Sequence, residues 1–364
     1  MTSFDIARRR LHNERLIGAS FEKAEDVVRW LGAVQAQDYA GAKWGIGQRV
    51  KNCLDADVEE AYASGKILRT HIMRPTWHFV MPADIRWMLE LTAPRVNGAM
   101  ASYNRKLELD DATFKRSNAA FERALEGDRH LSRKELAGVL EGAGITASGQ
   151  RLGHIVMRAE LDALICSGSL RGKQHTYALL EERAPQAKPL TREKALAVLT
   201  RRYFTSHGPA LVRDFAWWSG LTMADAKAGI ELAKPDLLRE VISEKTYWFA
   251  PSTAPAKIKD PTIHLLPNYD EYLIAYRDHS ASLTTPPSMG SAALYDMLAR
   301  HIVVLNGRVI GGWRSTIRKN EVSIETKLLT PLTGVQADGL RAAAGRYSRF
   351  LSMPVTVQAC DRGR

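Results

Sequence analysis

Two or three helices followed by two short strands: this order occurs three times along the chain, and it narrows the fold more than any single motif does. In the first copy the helices fall near Phe4–Arg15, Ala24–Val34 and Ala56–Ser64. Ser20 or the acidic run Glu22–Asp26 suits the start of the second helix, because side-chain oxygens and negative charge both favour a helix N-terminus. Strands follow at Lys66–His71 and Thr76–Met81, around Met73-Arg74-Pro75, where Pro75 blocks a helix and pushes Arg74 towards extended geometry. The second copy opens at Leu131, and Ser132 with Glu135 has capping-box spacing. A short helix, Gly142–Gly144 and a longer helix from Gln150 to Cys166 come next. Ser167-Gly168 ends that helix, and Leu170–Arg171 with His175–Leu179 reads as a hairpin over Gly172-Lys173. The third copy runs as a helix from Thr191 to Ser206, broken by His207-Gly208-Pro209. Helices over Ala210–Trp218 and Met223–Ala233, then strands near Leu238–Ser243 and Tyr247–Ala250, complete it. Helices followed by a two-strand hairpin are the winged-helix arrangement, whose second or third helix commonly enters a DNA groove.

After about residue 255 the texture changes. Ala254-Pro255-Ala256-Lys257 resembles a linker, and Ile263–Leu266, Leu273–Ala275, Ile302–Leu305, Val309–Trp313 and Val322–Thr326 are strand-like. Asn306-Gly307 between two apolar runs signals a hairpin, because both residues tolerate positive φ. A helix around Val335–Leu351 and a strand at Val355–Gln358 close a small β-barrel or curled sheet. The expected fold class is α+β, mainly α. Its divisions are 1–130 (a winged helix with connecting helices), 131–185 and 186–255 (winged helices), and 256–364 (a β-barrel with one helix).

The charge suggests a partner. In 364 residues there are 51 Lys and Arg against 40 Asp and Glu, and a net +11 favours a polyanion such as nucleic acid. Cys53, Cys166 and Cys360 are too far apart for zinc spacing, so no metal or other cofactor is expected, and reduced thiols in a cytoplasmic protein are. The N-terminal segment has a basic face and lacks the apolar core of a signal peptide. No window approaches the ~18 apolar residues of a membrane span.

Within this frame, Val34-Gln35-Ala36-Gln37-Asp38-Tyr39 is the stretch with the clearest chemistry. Gln35 and Gln37 can each donate and accept hydrogen bonds without carrying charge. Residues i and i+2 diverge on a helix but share a side in extended backbone, so the pair can hold one ligand only if the chain leaves the helix near Gln35. The first hairpin is dense in polar and aromatic groups. Arg69 and His71 share one face of its first strand, and Thr76 and His78 share one of its second, with Trp77 and Phe79 opposite. Arg69 and Arg74 suit phosphates, and an aromatic suits a base. Trp217-Trp218 reads as packing between helices. Asp270 and Glu271, ahead of a strand, would point to opposite faces and make a poor acid/base pair, although one of them can contribute to a site. Gly41–Gly47 lacks the lysine and the strand–helix context of a phosphate loop.

Taken together, Gln35-Ala36-Gln37, Arg69-Thr70-His71 with Arg74-Pro75-Thr76-Trp77-His78, and Tyr203 with His207-Gly208-Pro209 carry a resemblance over nearly the whole chain. Asp214-Phe215-Ala216-Trp217-Trp218-Ser219-Gly220-Leu221 and Pro267-Asn268-Tyr269-Asp270-Glu271-Tyr272 extend it. The sequence resembles the AlkZ-type winged-helix DNA glycosylases, in the branch with a Gln-x-Gln signature. The resemblance implies three tandem winged helices and a β-barrel in a C-shaped clamp on double-stranded DNA. It also implies removal of N7-alkylated purines and, in some members, unhooking of interstrand crosslinks. Gln35 and Gln37 would be catalytic. Arg69, His71, Arg74, Thr76 and His78 would contact DNA, and Asp38, Tyr39, Tyr269 and Asp270 would support the site. The protein would work as a monomer without a cofactor, in the cytoplasm on the nucleoid. The competing expectation is a non-catalytic winged-helix DNA-binding protein or transcription regulator, although no clear dimerisation helix appears.

Overall fold

The computed structural model describes residues 1–251, 261–283 and 300–359. The linker read at Ala254-Pro255-Ala256-Lys257 and Cys360 lie outside them. The first helix, α1 (Ser3–Asn13), opens on a Thr2/Asp5 capping box. Helix α2 (Ala24–Leu31) carries Glu25 and Asp26 in its first turn and buries Ala24, Val27, Val28 and Leu31, the three-four spacing of one apolar stripe. It stops short of the expected Val34 because Gly32 takes φ +86°, a conformation that costs a side-chain-bearing residue about 1–2 kcal/mol. Strand β1 (Val34–Gln35), α3 (Tyr39–Gly47), α4 (Asp55–Ala63), β2 (Leu68–Ile72) and β3 (Arg74–Val80) follow. The Gly41–Gly47 stretch thus does follow a strand, contrary to expectation, but its glycines lie inside α3 rather than in a loop before it.

Two long connecting helices, α5 (Ile85–Lys106) and α6 (Asp111–Leu125), lead to the second unit: β4 (Leu131–Ser132), α7 (Arg133–Gly142), α8 (Gln150–Leu161), β5 (Ile165–Ser167), β6 (Thr176–Leu179) and the short α9 (Leu180–Arg183). The Ser132/Glu135 capping box is present. Helix α8 ends before Cys166, which lies instead in β5. The main partner of β6 is β5, and Arg171 meets Gln174 only as an isolated bridge. The third unit is α10 (Arg192–Ser206), α11 (Val212–Ser219), α12 (Met223–Ala233), β7 (Leu238–Ile242) and β8 (Lys245–Phe249). The last part has β9 (Ile263–Leu266), α13 (Glu271–Ile274), β10 (His301–Leu305), β11 (Arg308–Ile317), β12 (Val322–Leu328), α14 (Gly334–Leu351) and β13 (Val355–Ala359). Residues Leu273–Ala275, expected as a strand, belong to α13 and its cap.

The first unit has a three-stranded sheet in the order β1-β3-β2, the second β4-β6-β5, and the third the pair β7-β8. The five C-terminal strands run β13-β12-β11-β10-β9, turning at Asn306-Gly307 with both φ positive. Among the described residues this sheet is open at β9 and β13 and does not close into a barrel; α14 packs against it.

The first unit has no private core. Leu68, Ile72 and Val80 from its hairpin join Phe204, Phe215 and Trp218 of α10 and α11 in one cluster. Val34, Trp44 and Phe79 join Trp313, Tyr347 and Phe350 of the C-terminal sheet and helix in another. Residues between Leu109 and Leu179 form a third. The small sheet carrying Gln35 is therefore clamped between the third unit and the C-terminal part, and both sides fix its position.

Candidate active site on the first hairpin

Strand register decides which polar groups meet. Gln35 on β1 lies opposite His78 on β3, and His78 lies opposite Thr70 on β2, so the three form one row across the sheet. Thr76 and Arg74, two and four residues back along β3, share that face. Gln35 and His78 are buried and Arg74 and Thr76 are half-buried. On this face Gln35 Oε1, Thr70 Oγ1, Thr76 Oγ1, His78 Nε2, and Arg74 Nε and Nη2 are all buried without a hydrogen-bond partner. An unpartnered buried polar group costs about 1–3 kcal/mol, so a fold concentrates several only where they serve something other than packing. His78 Nδ1 sits 3.0 Å from the Thr76 carbonyl, so that nitrogen carries the hydrogen and Nε2 presents a lone pair. Burial, and then the Arg74 charge, hold the His78 pKa well below 6.5, so the ring is neutral at pH 7. Burial also lowers the Arg74 pKa, against the pull of Glu271.

The opposite face is braced differently. Arg69 Nε donates to the Ala36 carbonyl at 3.0 Å, and its backbone N–H donates to Ser167 Oγ at 2.8 Å. His71 Nδ1 is hydrogen-bonded to Glu160, which is fully buried on α8. Trp77 lies between them, with ring centroid 4.2 Å from that of His71 and 4.4 Å from the Arg69 guanidinium. The five residues expected on a DNA-facing wing are thus divided: Arg74, Thr76 and His78 share a face with Gln35, and Arg69 and His71 back it from behind, both buried.

The two glutamines differ in setting. The helix has ended before Gln35, as the pair requires, and the Ala36 N–H is tied to the Trp77 carbonyl at 2.8 Å. Gln35 is buried whereas Gln37 is exposed in the turn before α3. Asp38 caps α3, accepting from the Gly41 N–H at 3.0 Å. Tyr39 Oη donates to Glu59 at 3.1 Å and meets Tyr62, Phe79 and His175 edge-on.

Of the adjacent carboxylates, of which sequence reasoning expected one to contribute and favoured Asp270, it is Glu271 that meets Gln35. Its Oε1 accepts the Gln35 backbone N–H at 2.8 Å and its Oε2 accepts Trp218 Nε1–H at 2.8 Å, with His207 Nε2 3.6 Å away. Asp270 is not its strand neighbour on an opposite face but the N-cap of α13, accepting from the Tyr272 N–H at 3.0 Å. Asp270 also makes two bonds to Arg49, 2.8 and 2.9 Å, and Arg49 reaches Glu14 at 3.1 Å. Burial pushes the Glu14 carboxyl up to about 8. Tyr269, half-buried at φ +62°, leads into this cap. Asp after a Pro-Asn-Tyr run was the available signal for a helix start.

Sequence comparison turns this geometry into a family assignment. A model of the family described as DNA glycosylase AlkZ-like matches residues 28–350, a span that includes Gln35, Arg74, His78 and Glu271. The chain belongs to the AlkZ-like DNA glycosylase family. The interstrand DNA cross-link repair glycosylase of Streptomyces sahachiroi is 23% identical over 373 residues, covering 92% of this chain and 93% of that protein. The solved structure of Streptomyces sahachiroi DNA glycosylase AlkZ shares the fold, with a TM-score of 0.79 over 98% of this chain and 100% of that one at 20% identity. As an AlkZ-like protein the chain is an enzyme of the DNA glycosylase class, and DNA is its substrate. Among the described residues no group of three or more His, Cys, Asp or Glu could hold a metal, and no helix is long and apolar enough to cross a membrane.

Proposed function

We propose that this AlkZ-like protein is a monofunctional glycosylase that hydrolyses the N-glycosidic bond of N7-alkylated, cationic purines in duplex DNA, including those that tie two strands together. The observation that carries the reading is the buried, unpartnered carboxamide oxygen of Gln35 opposite His78, on the face that Thr76 and Arg74 share. Alkylation at N7 already makes the purine a good leaving group: the bond electrons pass to its N9 and neutralise the cation. Little acid catalysis is needed. The sugar C1′, left electron-poor, must meet one water held in place, and positioning of this kind can supply much of a barrier. Gln35 Oε1 accepts a hydrogen bond from that water, Gln37 closes its solvent side, and the neutral His78 Nε2 offers a second acceptor. The water oxygen bonds to C1′ and its proton passes to solvent, so no strong base is required. Arg74 opposes the phosphate of the damaged nucleotide. In the same reading the chain works as a monomer in the nucleoid. Its three winged helices and C-terminal sheet enclose the duplex, drawn there by its +11 charge.

Duplex carrying N7-methylguanine should yield abasic sites when incubated with the purified protein, and borohydride should trap no covalent adduct. The double variant Gln35→Ala/Gln37→Ala should lose roughly 100-fold or more in rate. Full turnover by that variant would remove the pair from the mechanism. Tight binding by the unaltered protein without base release would favour a non-catalytic DNA-binding role.

A further inference from the structure

Of the adjacent pair Trp217-Trp218, only Trp218 behaves as packing. Its side chain is fully buried, whereas Trp217 is 39% exposed on α11, one of the few large aromatics left open. Trp217 is not loose: its Nε1–H donates to the Ile274 carbonyl at 3.1 Å, which fixes the ring edge. Two guanidiniums stand over it, Arg74 at 5.7 Å and Arg277 at 5.6 Å from the ring centroid. Both are longer contacts than that of Arg10, which lies 3.7 Å from the Tyr276 centroid. Nor is either neutralised. Among the described residues no carboxylate comes within 4.0 Å of Arg74 or Arg277, because neighbouring Asp278 is taken by Arg213 and by Lys245 at 2.8 Å. The two buried nitrogens of Arg74 have no partner at all.

We infer that Trp217, Arg277 and Arg74 form a stacking platform for one unpaired nucleobase of the DNA substrate, with the two arginines holding its phosphates. An indole face with two cations beside it suits a ligand that joins a π-face to negative charge; bases within an intact duplex hide their faces, and a base out of the stack does not. The platform lies beside the Gln35 row. Helix α13 touches the Gln35 backbone through Glu271 at its first residue and Trp217 through Ile274 at its last, about 4.5 Å of helix rise apart. The platform is held against the hairpin by Gly220. A Cβ there would come within 2.0 Å of the Met73 carbonyl oxygen. The inference rests on the proposed DNA-acting site around Gln35.

The test compares binding to a perfect duplex with binding to the same duplex carrying one bulged base, by fluorescence anisotropy. The unaltered protein should prefer the bulged duplex by roughly 5- to 100-fold. Trp217→Ala and Trp217→Leu should abolish the preference and leave perfect-duplex affinity within about twofold, while Trp217→Phe should keep most of it. Arg277→Gln should weaken both and lower the salt slope by about one. A preference retained by Trp217→Ala and Trp217→Leu, or absent from the unaltered protein, overturns the platform. So does equal weakening of both duplexes in all three Trp217 variants alongside a fall in melting temperature. Base release from N7-methylguanine duplex, measured in parallel, separates the two readings. Its absence in the unaltered protein sinks the glycosylase chemistry, whereas a surviving bulge preference in the variants sinks only the platform.

Discussion

Gly220 and Gly32 both take left-handed backbone, yet they should not tolerate substitution equally. At Gly32, φ +86°, an added Cβ meets only Trp218 Cη2 at 3.5 Å, an ordinary contact, so Gly32→Ala should cost about 1–2 kcal/mol from backbone strain alone. At Gly220, φ +70°, the same methyl would overlap the Met73 carbonyl at 2.0 Å, and α11 must move off the hairpin turn. Gly220→Ala should therefore lower the melting temperature clearly more than Gly32→Ala, and equal effects would show that this approach is not tight. The sequence marks Gly220 only as part of the Trp217-Trp218-Ser219-Gly220-Leu221 stretch, and its helical reading runs straight through Gly32 to Val34. It does not rank them, because the rank depends on a carbonyl far away along the chain. For the same reason Gln35 was legible as a polar residue at a helix end, but its burial against β3 was not.

At the level of elements, α13 shows how a short apolar run misleads. Leu273–Ala275 fits a strand as well as one turn of helix, since three residues cannot display a period. Its N-cap Asp270 and first residue Glu271 then do two separate jobs. Glu271→Ala leaves the Gln35 N–H and Trp218 Nε1–H unpartnered, at about 1–3 kcal/mol each. Glu271→Gln keeps an acceptor for one of them. Urea unfolding should place the alanine variant well below the glutamine variant, and equal stability would mean that the two donors find other partners. Arg49→Met leaves Asp270 a buried charge without its partner and should cost about 3–5 kcal/mol in the same assay. Caps, by contrast, were readable in advance. Ser132 and Glu135 lie three positions apart in sequence, and their hydrogen bonds need nothing from the rest of the fold.

Across the whole molecule, burial sets the pH response. His78, His154, His175, His207, His264, His279 and His301 all have pKa values lowered, in each case chiefly by burial, and His264 to about 3. A lowered folded-state value means that the unfolded chain binds more protons below pH 6.5. Their contribution to stability is therefore present above 6.5 and is lost as pH falls from there. The buried carboxyls Glu14 and Asp214, raised by burial, pull the other way, but they are fewer. The urea midpoint should therefore drop between pH 7.5 and pH 5.5, and a midpoint that rises over that range would contradict the balance. Binding to undamaged duplex should weaken steeply with salt, because each phosphate that this basic chain neutralises releases counterions condensed on the DNA.

Much of this protein is local, and the local part is written in its residues: the thrice-repeated helix-and-hairpin order, the caps, the Asn306-Gly307 turn and the Gln35-Ala36-Gln37 stretch. These depend on near neighbours and on backbone preference. Other features wait on contacts between segments tens to more than two hundred residues apart. Glu271 reaches Gln35 from 236 residues further along the chain. Register, not alternation within one strand, puts Arg74, Thr76 and His78 on the Gln35 face and sends Arg69 and His71 behind it. Packing between α11 and the hairpin buries Trp218 and leaves Trp217 open beside it. Burial and cross-strand pairing are properties of the assembled chain, because the free energy of a polar or aromatic group depends on what surrounds it.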